Sequence, residues 1–167
     1  TKTDRNGKLA GAIAPIANWA TRTENGLTRP VMESVTGVDK NAAVPKFHRK
    51  PLTARVRTGA FRRNEEAPAA ARKVVVYATC FVNYNDPEIG EDALEILARN
   101  GVEVEVLHPA CCGMPKLEHG NIADVAKAAR EVATMFKPWI ENGYEVVALT
   151  PSLSLIHISE PTRRRTI

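Results

Sequence analysis

The sequence predicts an α/β protein: a small three-strand parallel sheet with crossover helices, preceded by a helical and irregular basic connector. Two observations carry this. Short β-branched runs recur as KVVVYAT (73–79), VEVEVLH (102–108) and YEVVALT (144–150), and segments of helical period separate them. Strand, helix, strand, helix, strand at this spacing argues for parallel strands joined by right-handed crossovers. Charge marks the other division. From Thr1 to Arg63 thirteen Lys and Arg stand against four Asp and Glu, whereas from Asn64 to Ser152 the count is seven against fourteen. A basic front therefore precedes an acidic body, which suggests two units with different neighbours.

In chain order, KLAGAIAPIANWAT (8–21) has Leu9, Ile13, Ile16, Trp19 and Ala20 at helical spacing, with Pro15 as a kink. ENGLTRP (24–30) reads as a turn. RPVMESVTG (29–37) reads as a short helix with Pro30 near its start and Gly37 just past its end. The run KFHRKPLTARVRTGAFRR (46–63) is basic and irregular, and residues 64–72 are linker-like. KVVVYAT is short enough and apolar enough to be a strand buried on both faces. FVNYN after Cys80 is expected to be a loop, and Asp86-Pro87 to open a helix with Asp as N-cap. That helix points Ile89, Leu94, Ile96 and Leu97 to one side and closes on Asn100-Gly101. NIADVAKAAREVATMF (121–136) predicts a helix with Ile122, Val125, Ala129, Val132 and Phe136 on one stripe. Pro138 is expected to restart it as PWIEN, ending at Gly143.

Composition excludes several classes. A charged fraction of 25% and a hydrophobic fraction of 44% are those of a soluble globular protein. No stretch approaches the roughly 18 apolar residues of a membrane helix, and the opening TKTDRNGK has no signal-peptide core. The missing initiator Met suggests a fragment. Three cysteines are too few for a secreted disulfide framework, so a cytoplasmic setting is expected. The basic run offers only Phe47 and Phe61 as stacking aromatics and no recognition helix, so nucleic acid is not an expected partner. A solvated connector, or a surface docking on an acidic subunit or anionic lipid heads, fits it better. There is neither G-x-G-x-x-G nor a P-loop.

The stretch HPACCGMPKLEHGN (108–121) places Cys111 and Cys112 side by side. In the parallel sheet Cys80 leaves the first strand and Cys111-Cys112 leave the second, so residues distant in sequence share one rim. Three uses compete: packed thiols, a redox pair or reactive thiolate, and soft ligands for iron–sulfur or zinc. Gly113 would let the backbone turn closely against a cluster. Tyr84 and Asn85 either support such a centre or only form the loop.

Cys80, a thirty-residue gap, Cys111-Cys112-Gly113 and the flanking TCFVNYNDP (79–87) resemble the cysteine-rich CCG domains of heterodisulfide reductases and their relatives. Among those relatives are iron–sulfur subunits of anaerobic glycerol-3-phosphate dehydrogenase. The front resembles the connector of those subunits in GAIAPIANWA (11–20), PVMESVTGVD (30–39) and VPKF (44–47). The resemblance implies Cys80, Cys111 and Cys112 as ligands of an iron–sulfur cluster of 4Fe-4S type, or of zinc in some members. It implies a non-catalytic subunit that relays electrons from a flavoprotein partner towards quinone, cytoplasmic or peripheral on the inner face of the membrane. Iron–sulfur subunits of lactate or glycolate oxidases are a related possibility, and a zinc-binding or thiol-redox interaction module is the alternative of another class. His119 could complete a Cys₃His zinc site, although a surface loop histidine near a helix N-terminus is the plainer reading.

The family pattern also places a further cysteine at the position of Leu153. From there LSLIHISEPTR (153–163) resembles a translated transposase adapter from sequencing libraries. Residues 153–167 are therefore expected to be an artefactual tail, with no role for His157 or for Arg163 to Arg165. The expected organisation is a basic connector over 1–63, a linker over 64–72, a partial CCG domain over 73–152 and that tail. Upstream ferredoxin-like runs and a second CCG repeat are expected to be missing.

Overall fold

A computed structural model describes residues 3–56 and 61–149. Strand β1 (Lys73–Tyr77) lies between β2 (Glu103–Leu107) and β3 (Glu145–Ala148), and both pairings are parallel. The register sets Tyr77 opposite Leu107 on one side and Ala148 on the other. Central position explains the composition of β1. Val74, Val76 and Ala78 face one layer with Leu52, Val82, Leu94 and Val102, while Val75 and Tyr77 face Phe136 in the other. A strand covered on both faces needs apolar residues at successive positions, and the KVVVYAT run supplies them.

The covering helices follow from their small residues more than from their large ones. Helix α5 (Pro87–Arg99) buries Pro87, Gly90, Leu94 and Ala98 and closes on Asn100, with Gly101 at φ +87°. Ile89 and Ile96, expected on its inner side, are exposed; Leu94 and Leu97 pack inward. Gly90 is needed because a Cβ there would lie 2.2 Å from the Leu52 side chain. Asp86 occupies the N-cap position without a side-chain cap hydrogen bond, and Pro87 fills the first turn. Helix α7 (Ile122–Glu141) buries Ala128 and Phe136, with Val132 and Trp139 packed beside them, whereas Ile122 and Ala129 face solvent. Pro138 does not restart this helix but lies inside it. Both Pro138 and Thr134 are exposed, so water can serve the Thr134 carbonyl, which has no partner at Pro138 because proline carries no N–H.

The front half is folded onto the sheet. Helices α1 (Thr3–Ala12) and α2 (Ala14–Thr21) break at Ile13, with Pro15 in the first turn of α2. Proline begins a helix there instead of kinking one. Helix α3 (Thr28–Thr36) ends on Gly37 at φ +74°. Its Arg29, 1% exposed, donates to the carbonyls of Lys40, Asp39 and Ala42 at 2.7, 2.9 and 2.6 Å. The 46–63 run was expected to be solvated and irregular, yet it contains a short α4 (Leu52–Val56) whose Leu52 is completely buried. Arg55 pairs with Glu91 at 2.8 Å and Glu88 at 3.2 Å, Thr53 N–H donates to buried Asn83, and Phe61 packs on the core. Basic front and acidic body are thus each other's neighbours. Residues 64–72 form turns tied to the end of α5, through Asn64 N–H to Ala98 O at 2.9 Å and Ala69 N–H to Asn100 O at 3.2 Å. No described helix is long and apolar enough to cross a membrane. Thr150 to Ile167, which include the expected cysteine position and the tail, lie outside the described residues.

If the front belongs to this core, Leu52→Ala removes a side chain shared by α4, α5 and β1. We expect a loss of about 2–5 kcal/mol in urea unfolding. A change below about 0.5 kcal/mol, ordinary for a surface position, contradicts that placement.

Candidate metal centre

The chain leaves β1, crosses to β2 on one side and returns to β3 on the other, so its direction reverses at β1. Ligands of open α/β sheets gather at such a switch point, beyond the carboxyl ends of the strands. Cys80 stands three residues past Tyr77 and Cys111 four past Leu107, and the ladder continues between them through Ala78 N–H to Leu107 O at 2.8 Å. FVNYN after Cys80 is a single π-helical turn, Phe81–Asn85, where a loop was expected. Its wide turn buries Val82, Asn83 and Tyr84.

The structure brings the three cysteines to one place. Cys80 lies close enough to Cys111 for the two thiols to act on one another, and Cys112 also acts electrostatically on Cys80. Cys80 and Cys111 are half-buried, Cys112 is exposed, and none is in a disulfide. Burial raises the Cys80 pKa far above the ordinary thiol value, and the neighbouring Cys111 raises it further. Tyr77 is near enough to all three to feel their charge. Burial pushes its hydroxyl up as well, followed by Cys112, Cys80 and Cys111. It stays protonated and donates to Ala110 O at 2.7 Å, which pins the loop carrying the cysteines.

Gly113 adopts φ +88° and caps α6 (Met114–Glu118), turning the chain directly after the cysteine pair. Only glycine takes this conformation without strain. It packs towards Ala128 and Val125 of α7, which fixes the loop from behind. His119 closes α6 on the exposed surface.

A different histidine meets Cys80. His108 opens the HPACCG stretch, and sequence reasoning gave it no part. Its side chain is 7% exposed; Nδ1 faces Ala78 O at 2.5 Å and Nε2 faces Asp4 Oδ1 at 2.8 Å. Tyr84 stacks edge-on to its ring at 5.3 Å and donates from Oη to Asp4 Oδ1 at 2.8 Å. Lys8 holds the other carboxylate oxygen at 2.9 Å. Burial tends to raise the Asp4 pKa, but the hydrogen bonds of His108, Lys8 and Tyr84 outweigh it and bring it down to about 2. Helix α1 can reach this rim because Gly7 lies under the Tyr84 ring, where a Cβ would be only 2.5 Å away. Asp4, Gly7, Lys8 and Gly11 fall on one helical face, a spacing that could have flagged α1 as closely packed. Tyr84 and Asn85 anchor the front: Asn85 Nδ2 donates to Lys46 O at 2.8 Å, and Tyr84 O accepts from His48 N–H at 2.9 Å.

The Asp4 shift has a stability consequence of definite sign. A carboxyl lowered from 3.8 to about 2 stabilises the fold above the higher value, and this contribution fades as pH falls through the lower one. Asp4→Asn is expected to cost about 2 kcal/mol at pH 6. Its deficit relative to the parent should shrink between pH 4 and pH 2 in denaturant titrations. A deficit independent of pH contradicts the assignment.

Comparison with known proteins gives the same region a family. The model of the CCG cysteine-rich domain matches residues 74–152. A subunit of the anaerobic glycerol-3-phosphate dehydrogenase of Escherichia coli (strain K12) is 31% identical over 133 residues, covering 76% of this chain and 31% of that protein. Lactate utilization protein A of Bacillus pumilus (strain SAFR-032) is 35% identical over 66 residues, 39% of this chain and 28% of that protein. Lactate utilization protein A 2 of Bacillus cereus (strain Q1) is 30% identical over 86 residues, 51% and 34% respectively. The chain spans only about three tenths of the length of these curated relatives. The 133-residue match is too long for the 74–152 region alone, so it includes part of the basic front. No solved structure matches. With its strand exits, its adjacent cysteines and the left-handed glycine that follows them, the 74–152 segment belongs to the CCG cysteine-rich domain family.

Proposed function

We propose that Cys80, Cys111 and Cys112 hold an iron–sulfur cluster of 4Fe-4S type in an electron-transfer subunit of a dehydrogenase or oxidase. The observation that carries this reading is the meeting of Cys80 and Cys111 at the rim, thirty-one positions apart in sequence, with Cys112 beside them. Thiolates suit iron–sulfur ligation, and the donor set fits such a group as far as it goes. Four donors are usual, and the family pattern puts the next at position 153, where this chain has Leu. When bound, the cluster would supply one-electron storage and release.

The protein's own residues prepare the place. In the metal-free chain Cys80 keeps its proton, because burial and Cys111 disfavour the thiolate. Ligation must displace that proton, so loading is favoured as pH rises. Tyr77 fixes the cysteine loop through Ala110, and Gly113 fixes its exit. On this reading electrons pass from a flavoprotein partner towards quinone, as within a glycerol-3-phosphate dehydrogenase. The chemistry on the organic substrate belongs to that partner. The matches to lactate utilization proteins favour a second donor, lactate. Attachment to the inner face of a membrane would run through partner subunits.

The test is anaerobic reconstitution of the full chain carrying Leu153→Cys with iron and sulfide. We expect broad visible absorption and an electron paramagnetic resonance signal in one oxidation state, both lost in Cys80→Ser and Cys111→Ser. A protein that takes up zinc alone and shows no reducible cluster contradicts the proposal in favour of a zinc or thiol module.

A further inference from the structure

Beside Cys80 stand two donors that the iron–sulfur reading leaves unused, Asp4 and His108. Asp4, Cys80 and His108 each present one ligand atom, and the three atoms lie within 4.8 Å of one another. They come from the N-terminal helix, the exit of β1 and the exit of β2, and the fold alone brings them together.

The hydrogen bonding of His108 defines what the gap between these atoms can hold. Ala78 O can only accept, so His108 Nδ1 carries the hydrogen. In the neutral ring Nε2 then bears a lone pair, yet it faces a carboxylate oxygen 2.8 Å away. Two acceptors at that distance repel unless a cation stands with them. A proton would make a buried imidazolium; a metal ion would be shared with the sulfur of Cys80. Each donor is also oriented from behind, as ligands of metal sites commonly are. Ala78 O fixes the histidine tautomer, Tyr84 Oη and Lys8 Nζ hold the Asp4 carboxylate, and Cys80 sits at the fixed exit of β1. A groove of about 720 Å³, lined in part by Lys8, Asn83, Tyr84, Leu107 and His108, opens beside the histidine.

We infer that Asp4, Cys80 and His108 form a mononuclear site for a divalent cation of the zinc or cobalt type. Nitrogen, sulfur and carboxylate donors together suit such borderline-soft ions, and three protein ligands leave a fourth position for solvent. The site is distinct from the proposed cluster but shares Cys80 with it, so the two occupants exclude one another. It also joins the front half to the rim, since one of its ligands lies in α1.

Cobalt(II) is the probe, titrated anaerobically into the metal-free full chain. We expect one equivalent to bind with a thiolate-to-cobalt charge-transfer band and the intense d–d absorption of four-coordinate cobalt. His108→Gln and Asp4→Asn should each weaken binding at least about tenfold, the scale known for damaged metal sites, while Cys112→Ser should leave it unchanged. Equal affinity in His108→Gln, or loss of binding in Cys112→Ser, overturns the assignment. X-ray absorption of the cobalt-loaded parent needs no variant: one sulfur with nitrogen and oxygen neighbours is expected, and two or three sulfurs overturn it. The cluster proposal fails or stands separately. In the Leu153→Cys background Cys112→Ser should abolish the cluster and spare the cobalt site, and His108→Gln should do the reverse.

Discussion

The parallel registration of β1 between β2 and β3 is the constraint on which everything at the rim depends. Tyr77 lies opposite Leu107 and Ala148, and this alignment sets where each strand ends and where each loop begins. Residues along a strand advance about 3.3 Å each, so a slip of two would carry Cys80 some 7 Å along the sheet from the Cys111 loop. A slip of one would reverse the faces of β1 and take Val74 and Val76 out of their layer. Burial on both sides excludes these alternatives, because Val75 and Val76 are both wholly enclosed and each fits one layer. The hydrophobic core thereby sets the distance between two sulfurs.

The front half uses the same rim from the other direction. Its excess of basic residues suggested an outside partner, but part of that charge is answered within the chain, by Arg55 against Glu88 and Glu91. These pairs are partly exposed and contribute little by themselves. Apolar contact does more: Leu52 enters the core, and Gly7 lets α1 approach the Tyr84 ring. The consequence reaches the site, since that approach delivers Asp4 to His108, 104 positions later in the chain.

Much of the sheet could be read in the sequence because its signals are local. Alternating or continuous β-branched runs marked the strands, and Gly37, Gly101 and Gly143, all at positive φ, marked where helices end. The shared rim of Cys80 and Cys111 followed from parallel topology. Other features depended on neighbours that no window of sequence contains. Ile89 and Ile96 looked like core residues, yet Gly90 and Ala98 are the buried positions, and at Gly90 it is Leu52, from a segment that read as irregular, that requires the room. Pro138 looked like a helix boundary, but its exposed setting tolerates the missing hydrogen bond. His108 escaped notice because its partners, Asp4 and Ala78, lie far away along the chain. His119 drew attention only through its nearness in sequence to the cysteines.

The claim beneath the cluster assignment is that sulfurs distant in sequence come together in the native fold. Mild oxidation of the native, metal-free chain, followed by proteolysis and mass spectrometry of the linked peptides, measures this directly. The account predicts that a Cys80–Cys111 crosslink forms first and disappears when oxidation is done in denaturant. Crosslinking confined to the Cys111–Cys112 neighbours, with Cys80 left free in the native state, would contradict it.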